Sequence, residues 1–257
     1  MNLTLSSSIT PAAPGAPERL TVAAPSPTLG WLLVAEALLS FVPVAILGAA
    51  IGWPASLDKP AAEQLAAIAA APASVSLGYA VYLLYSLLVA PVMIGLAARS
   101  LGGLNNPLAA TVVAFGVLSA LARSIGILRW LTVMPVLATA HAGAAADPAL
   151  RSQIEWLFDG LTVYGGGIGE VLGVSLLMSA SVGTLCVAAL RRRSMPRWLA
   201  SMGLLAALLL AGLSLRVVRG PEIVPVALAV SLLSAWMLAA GVWVMRRRPP
   251  PAARSPE

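Results

Sequence analysis

The sequence predicts an all-α polytopic membrane protein, a bundle of six transmembrane helices with both termini on the inner side. Apolar residues make up 59% of the chain and charged residues only 10%, and the mean hydropathy is +0.90. Soluble domains carry about 25% charged residues, so this chain has too few polar groups to cover a water-facing surface. Six apolar runs follow one another, each near the roughly 20 residues that a helix needs to cross a bilayer.

The apolar runs divide the chain into two tails and one transmembrane domain. Residues 1–28 are rich in Pro, Ala, Ser and Thr, a composition that cannot bury a core, and are predicted to form a disordered tail. This tail lacks the basic start of a signal peptide, so we expect no cleavage. Residues 29–248 form the transmembrane domain and 249–257 a second disordered tail. The six predicted spans are 30–51, 75–97, 107–134, 163–190, 199–218 and 223–245.

Basic residues in the connections predict the orientation, because cytoplasmic loops are enriched in Arg and Lys. With the N-terminus inside, ten basic residues fall on the inner side and four on the outer side. The inner set is Arg19, Arg99, Arg191, Arg192, Arg193, Arg197, Arg246, Arg247, Arg248 and Arg254, and the outer set is Lys59, Arg151, Arg216 and Arg219. Clusters at the ends of apolar runs are typical of a topology signal, so we expect no nucleic-acid partner.

The outer connection between the third and fourth spans is predicted to hold an amphipathic helix at about 147–161. Asp147 can cap its N-terminus, with a proline at the first helical position. Leu, Ile and Phe side chains recur on one face, and Arg151, Glu155 and Asp159 lie on the opposite face. We expect this helix to lie on the outer membrane surface or to cover the outer mouth of the bundle, and then to run into the fourth span.

Four ionisable residues fall inside the predicted spans, namely Glu36, Arg123, Arg129 and Glu170. A charge near the bilayer centre costs from about 3 to over 10 kcal/mol, and it indicates a functional site by default. At about 1.5 Å per residue, Arg129 and Glu170 lie about 7 and 10 Å deep on neighbouring antiparallel spans. We therefore predict an Arg129–Glu170 ion pair, which either fixes the helix register or handles an anion or a proton.

The two remaining charges need separate explanations. Arg123 lies near mid-membrane, about 120° around the helix from Arg129, and so cannot share the same carboxylate geometry. Its partner is Glu170 through a water, the backbone or a serine, and an Arg123 without a partner would be an anion site. Glu36, near the inner end of the first span, is expected to extend to the interface or to bridge locally with Arg99.

Glycine recurs every four residues where the fourth span begins, in the segment YGGGIGEVLG, at Gly165, Gly169 and Gly173. A ridge of small residues lets another helix approach closely, and close packing is the use we predict. In the alternative, the glycines loosen the first turn and expose backbone N–H groups to a ligand.

Three tyrosines, Tyr79, Tyr82 and Tyr85, are spaced three residues apart in the outer half of the second span, at the depth of the charged pair. Tyrosines at this depth are usually interface residues. In the alternative, they line an outward-opening polar pocket together with the charges. The candidate ligand-binding residues are Arg123, Arg129, Glu170, Tyr79, Tyr82 and Tyr164.

Residue counts limit the chemistry. The chain has one cysteine, Cys186, and one histidine, His141, so we expect no metal site, no bis-histidine haem and no other cofactor. No recognised nucleophile or catalytic motif accompanies Glu170, so an enzymatic function ranks third. Fifteen arginines against one lysine, with abundant Ala and Pro, are typical of a GC-rich bacterial genome, which predicts a location in the bacterial cytoplasmic membrane.

Two segments, RSIGILRWLTVMPVLA and YGGGIGEVLG, resemble a family of bacterial integral membrane proteins known as domain of unknown function 4386. The resemblance covers roughly residues 30–245 and implies about six spans, but it implies no activity. The matching positions are Gly126, Leu128, Arg129, Trp130, Pro135, Tyr164, Gly165, Gly169, Glu170 and Gly173. The family is expected to carry histidine after the glutamate, whereas this chain has Val171, which argues against a Glu-His proton relay or metal site.

Two hypotheses of function follow. In the first, an outer-half polar pocket binds or transports a small anionic or amphiphilic solute or a lipid. In the second, the protein is a non-catalytic scaffold that works through partners, and its buried charges only assemble the bundle. Membrane lipids are the expected partners in both hypotheses, and the glycine ridge makes a homo-oligomer a further expectation of the second.

Overall fold

The computed structural model describes residues 26–215 and 224–246. Most of the two predicted tails lies outside these ranges. So does the end of the predicted fifth span. Six basic residues of the orientation argument also lie outside these ranges, namely Arg19, Arg216, Arg219, Arg247, Arg248 and Arg254.

The described residues form nine α-helices, one π-helical segment and one 3-10 helix. In chain order they are α1 (Pro27–Leu39), α2 (Phe41–Ile51), the 3-10 helix (Ala55–Asp58), α3 (Ala61–Ala70), α4 (Pro72–Leu101), α5 (Pro107–Gly143), α6 (Pro148–Gly166), the π segment (Gly167–Met178), α7 (Ser179–Arg192), α8 (Arg197–Leu213) and α9 (Val226–Arg246). Local chemistry explains several ends. Asn106 accepts a hydrogen bond from Leu108 N at the start of α5, and Gly102 ends α4 at a φ of 81°.

Five helical stretches are long and apolar enough to cross a membrane. They are Pro27–Ile51, Pro72–Leu101, Pro107–Gly143, Pro148–Arg192 and Val226–Arg246. The prediction of an all-α chain with several membrane-spanning helices is therefore confirmed. The predicted fifth span corresponds to α8, whose 17 residues extend about 25 Å, less than the roughly 30 Å of a hydrocarbon core.

The predicted amphipathic helix is capped by Asp147 and runs into the predicted fourth span. Asp147 caps α6 by accepting a hydrogen bond from Leu150 N at 3.0 Å. The helix does not stop near residue 161, because α6 continues through the π segment into α7 as one 45-residue run. The glycines at positions 165–167 adopt helical φ and ψ angles, so they do not end the helix.

Contacts between helix ends define two opposite ends of the bundle. Arg192 Nη1 donates to Leu101 O at 2.8 Å, and Gly30 in α1 faces Met245 in α9. We call this the arginine end, because it holds Arg99, Arg191, Arg192, Arg193, Arg197 and Arg246. The other end, here the α3 end, holds the 3-10 helix, α3 and the start of α6.

The apolar core consists of two clusters of buried side chains. One contains Leu96 and Trp236 and lies between α1, α4, α7, α8 and α9. Trp236 is fully buried and donates from Nε1 to Leu199 O at 3.1 Å, so its only polar group has a partner. The other cluster, with Met134 and Phe158, lies nearer the α3 end. Arg129 adjoins this second cluster through its neighbour Trp130, whereas Glu36 lies between Leu33 and Ala37 of the first.

Candidate functional site

Close packing of α5 on the π segment creates the site. A Cβ added at Gly126 would lie 2.8 Å from Gly169 Cα and 2.9 Å from Gly165 O, and one added at Gly173 would lie 3.0 Å from Arg123 N. These glycines therefore bring two backbones into contact. A bond from Ser119 Oγ in α5 to Gly173 O, at 2.8 Å, joins the two helices across this contact.

The π-helical geometry of residues 167–178 is the second local feature. Ser175 Oγ donates to Glu170 O, five residues earlier, at 3.0 Å. Long π segments are rare, and π turns occur frequently at functional sites. Glu170, the acidic residue of the segment, lies in its first turn.

A cavity lined by aromatic, apolar and charged side chains lies where α4, α5 and the π segment meet, toward the α3 end. It offers about 50 Å³ to the centres of water-sized molecules, which is room for about three to five waters. The lining residues are Trp53, Leu57, Tyr79, Tyr82, Arg123, Gly126, Ile127, Arg129, Trp130, Gly165, Gly166, Gly169, Glu170 and Val174.

Both intramembrane arginines face this cavity and lie against aromatic rings. The guanidinium carbon of Arg123 is 4.5 Å from the ring centroid of Tyr85, and that of Arg129 is 5.4 Å from Trp130. Cation–π contact partly replaces the water that each charge has lost. Within the described structure, Arg123 Nε and Arg129 Nε and Nη1 have no hydrogen-bond partner. These three nitrogen atoms are enclosed by protein, so what both arginines contribute to the cavity is their positive charge.

The predicted Arg129–Glu170 ion pair does not form. In the described residues, the ion pairs within 4.0 Å are Lys59–Glu63 at 3.7 Å and His141–Glu155 at 2.8 Å. Arg129 extends over Gly165, five residues before Glu170. The side chains of Arg129 and Glu170 line the same cavity and interact electrostatically, but they do not form a direct contact.

Aromatic side chains form one side of the cavity. Tyr79 stacks on Trp130, with ring centroids 4.8 Å apart and planes within 4°, and Trp130 meets Phe158 edge to face at 6.1 Å. Trp53 meets Tyr82 edge to face at 6.0 Å. Two predicted site residues, Tyr79 and Tyr82, therefore line the cavity.

Tyr164, the remaining predicted site residue, does not reach the cavity. Its side chain is 70% exposed, and the three glycines that follow it line or border the site without it. Sequence reasoning missed Trp53, Leu57 and Trp130 as lining residues. For Trp130 a signal existed, because it follows Arg129 directly and cation–π contact with arginine is common.

Glu36 is located differently from the sequence prediction. It is fully buried, and neither carboxylate oxygen has a hydrogen-bond partner in the described structure. α1 begins at Pro27, so Glu36 lies about 14 Å along the helix, and its enclosure by neighbouring helices keeps the carboxyl group from extending to the interface. Arg123 acts on it electrostatically.

The comparison with known proteins identifies a family. Residues 28–247 match the family model described as Domain of unknown function (DUF4386). The chain belongs to this family. No curated protein and no solved structure matches the chain, so the DUF4386 match supplies no activity, and the function has to be argued from the cavity.

The described residues of this DUF4386 protein contain few side chains that could bind a metal together. Among them no group of three or more His, Cys, Asp and Glu side chains lies together. The single histidine, His141, is paired with Glu155 at the α5–α6 contact, where Arg151 Nε also lies 3.4 Å from His141 Nε2. Cys186 is buried in the apolar core.

Proposed function

We propose that the cavity binds a small anion or the anionic headgroup of an amphiphile. The observation that carries the proposal is the pair of guanidinium groups, Arg123 and Arg129, which line one cavity with no carboxylate within 4.0 Å in the described structure. One carboxylate, Glu170, faces the same space, so the ionised site has an excess of one positive charge. Guanidinium N–H groups form a planar fork that matches carboxylate, phosphate and sulfonate oxygens.

The dimensions and lining support a headgroup-sized ligand. Space for a few waters accommodates one tetrahedral or planar anion, and the rings of Tyr79, Trp130 and Trp53 offer apolar contact to an attached chain. Binding a solute inside the membrane-spanning part of a protein is the first step of moving it. Binding or transport of an anionic or amphiphilic solute is therefore the function we propose.

The first experiment compares anion-dependent thermal stability in detergent for the wild type, Arg129→Gln and Glu170→Gln. At constant ionic strength, we expect sulfate or inorganic phosphate to raise the wild-type unfolding midpoint, because a ligand at 100 times its Kd stabilises by about 2.7 kcal/mol. We expect Arg129→Gln to abolish this shift. Glu170→Gln should keep or increase it, because that change removes a negative charge from the site.

An exposed arginine outside the cavity provides the control. Arg191→Gln lies at the arginine end and should leave the anion-dependent shift unchanged. Suppose instead that no anion shifts the wild type and that Arg129→Gln alone lowers the midpoint sharply. The charges then only assemble the bundle, and the scaffold hypothesis replaces the binding hypothesis.

We also propose six crossings, with the arginine end in the cytoplasm and the lipids of a bacterial inner membrane around the helices. The described residues place six basic side chains at the arginine end, whereas the α3 end holds Lys59 and Arg151. An excess of basic residues is typical of the cytoplasmic end of a membrane protein. α8 supports the sixth crossing, because Gly212 near its end is close to Val224, just before α9. A short helix can cross where the bilayer thins.

Cysteine labelling tests this topology, starting from a Cys186→Ser variant without thiols. We expect a membrane-impermeant maleimide to label Ala145→Cys, at the α3 end, in intact cells. We expect Asn105→Cys, in the connection between α4 and α5, to react only after permeabilisation. Both positions are exposed, so reactivity reports sidedness. The reverse pattern would show that the orientation is inverted.

A further inference from the structure

Glu36 does not line the cavity, so anion binding there does not explain why its carboxyl group is buried. It is fully enclosed near the middle of the first span, and no hydrogen-bond donor in the described structure reaches either oxygen. An ionised carboxylate in such a place loses its hydration without compensation, whereas a protonated one is neutral. A single carboxyl group can bind a proton without any other oxygen ligand.

Arg123 connects this carboxyl group to the cavity. Its side chain is only 4% exposed, lines the cavity and interacts electrostatically with Glu36. The two groups do not form an ion pair within 4.0 Å in the described structure. The charge of Glu36 therefore changes the potential at the anion site, and an anion beside Arg123 changes the cost of ionising Glu36.

We propose that Glu36 is a proton-binding site coupled through Arg123 to anion binding in the cavity, an inference that rests on the proposed function. Proton uptake at Glu36 removes one negative charge and makes the site more attractive to an anion. By linkage, anion binding must favour proton uptake by the same factor. A transporter with this coupling would carry an anion and a proton together.

Few other ionisable groups face Glu36. α1 packs against α2, α4 and α9. α2 has no ionisable side chain, and α9 has only Arg246 at its far end. From α4, Tyr82 and Tyr85 interact electrostatically with Arg123, and Arg99 lies in the last turn of the same helix, at the arginine end. The other carboxyl group at the cavity is Glu170, which interacts electrostatically with Tyr82.

The test measures sulfate affinity of the detergent-purified protein between about pH 5.5 and 8.5, a range in which carboxyl groups of buried type can titrate and sulfate does not. For the wild type, we expect affinity to rise about five- to tenfold toward low pH, an ordinary coupling strength. For Glu36→Gln, which imitates the protonated side chain, we expect high affinity at every pH. Glu170→Gln should retain the pH dependence.

Infrared difference spectra provide a readout that is independent of affinity. The carbonyl band of a protonated carboxylic acid should be present in the wild type and Glu170→Gln and absent in Glu36→Gln, and sulfate should strengthen it. If sulfate binds the wild type with an affinity that pH does not change, the coupling is wrong and the anion site stands. If the pH dependence disappears only in Glu170→Gln, Glu170 is the proton site instead. If sulfate does not bind at all, the proposed function fails and the coupling fails with it.

Discussion

Replacing Gly126 by alanine is expected to destabilise the protein by about 2 to 3 kcal/mol, the upper range for overpacking a filled interior. The added methyl group would lie within 3 Å of Gly169 Cα and Gly165 O. Both are backbone atoms, so no side chain can rotate away, and α5 must move from the π segment. Reversible unfolding in mixed micelles would measure the loss, and we expect anion binding to disappear, because the same contact defines the cavity.

Gly167→Ala is the matched control, because it makes the same chemical change in the π segment. A Cβ at Gly167 would have no neighbour within 4 Å, and alanine is favoured over glycine in helices by about 1 kcal/mol. We expect no loss of stability for this variant. Equal destabilisation by the two substitutions would show that adding a methyl group anywhere in these helices, and not the contact between backbones at Gly126, explains the effect of Gly126→Ala.

The membrane-spanning helices could be predicted because length and apolarity are properties of single segments. The boundaries were less accurate where a local signal competed with composition. Ser26, which accepts a hydrogen bond from Leu29 N, starts α1 at Pro27, within a stretch assigned to the tail. That displacement made Glu36 appear superficial. A glycine triplet likewise did not interrupt the run from α6 into α7.

The candidate site could be predicted as a group but not as a set of contacts. Depth counting along neighbouring antiparallel spans placed Arg129 and Glu170 at one level, and both line the cavity. Their direct pairing depended on helix rotation, which the π segment alters in a way that no α-helical count anticipates. Contacts with Trp53 and Leu57 depended on how the connection before α3 folds back, and sequence periodicity does not report on that.

Trp130→Ala is expected to cost about 3 to 5 kcal/mol, the usual range for removing a large aromatic side chain from a packed interior. Trp130 is 4% exposed, stacks on Tyr79, meets Phe158 and carries the guanidinium group of Arg129 over its ring. Its removal therefore enlarges the cavity and withdraws the ring from Arg129. We expect weaker anion binding together with a lower unfolding midpoint.

Trp156→Ala is the control, because it removes a tryptophan side chain without removing packing in the interior. Trp156 is 80% exposed, so its removal should change the free energy of unfolding by less than about 0.5 kcal/mol in detergent. Trp130→Phe adds a second comparison, because it keeps an aromatic face for Tyr79 and Arg129. If the aromatic face orients Arg129, this variant should recover most of the anion affinity while recovering only part of the stability. Equal recovery of both would show that Trp130 only fills space.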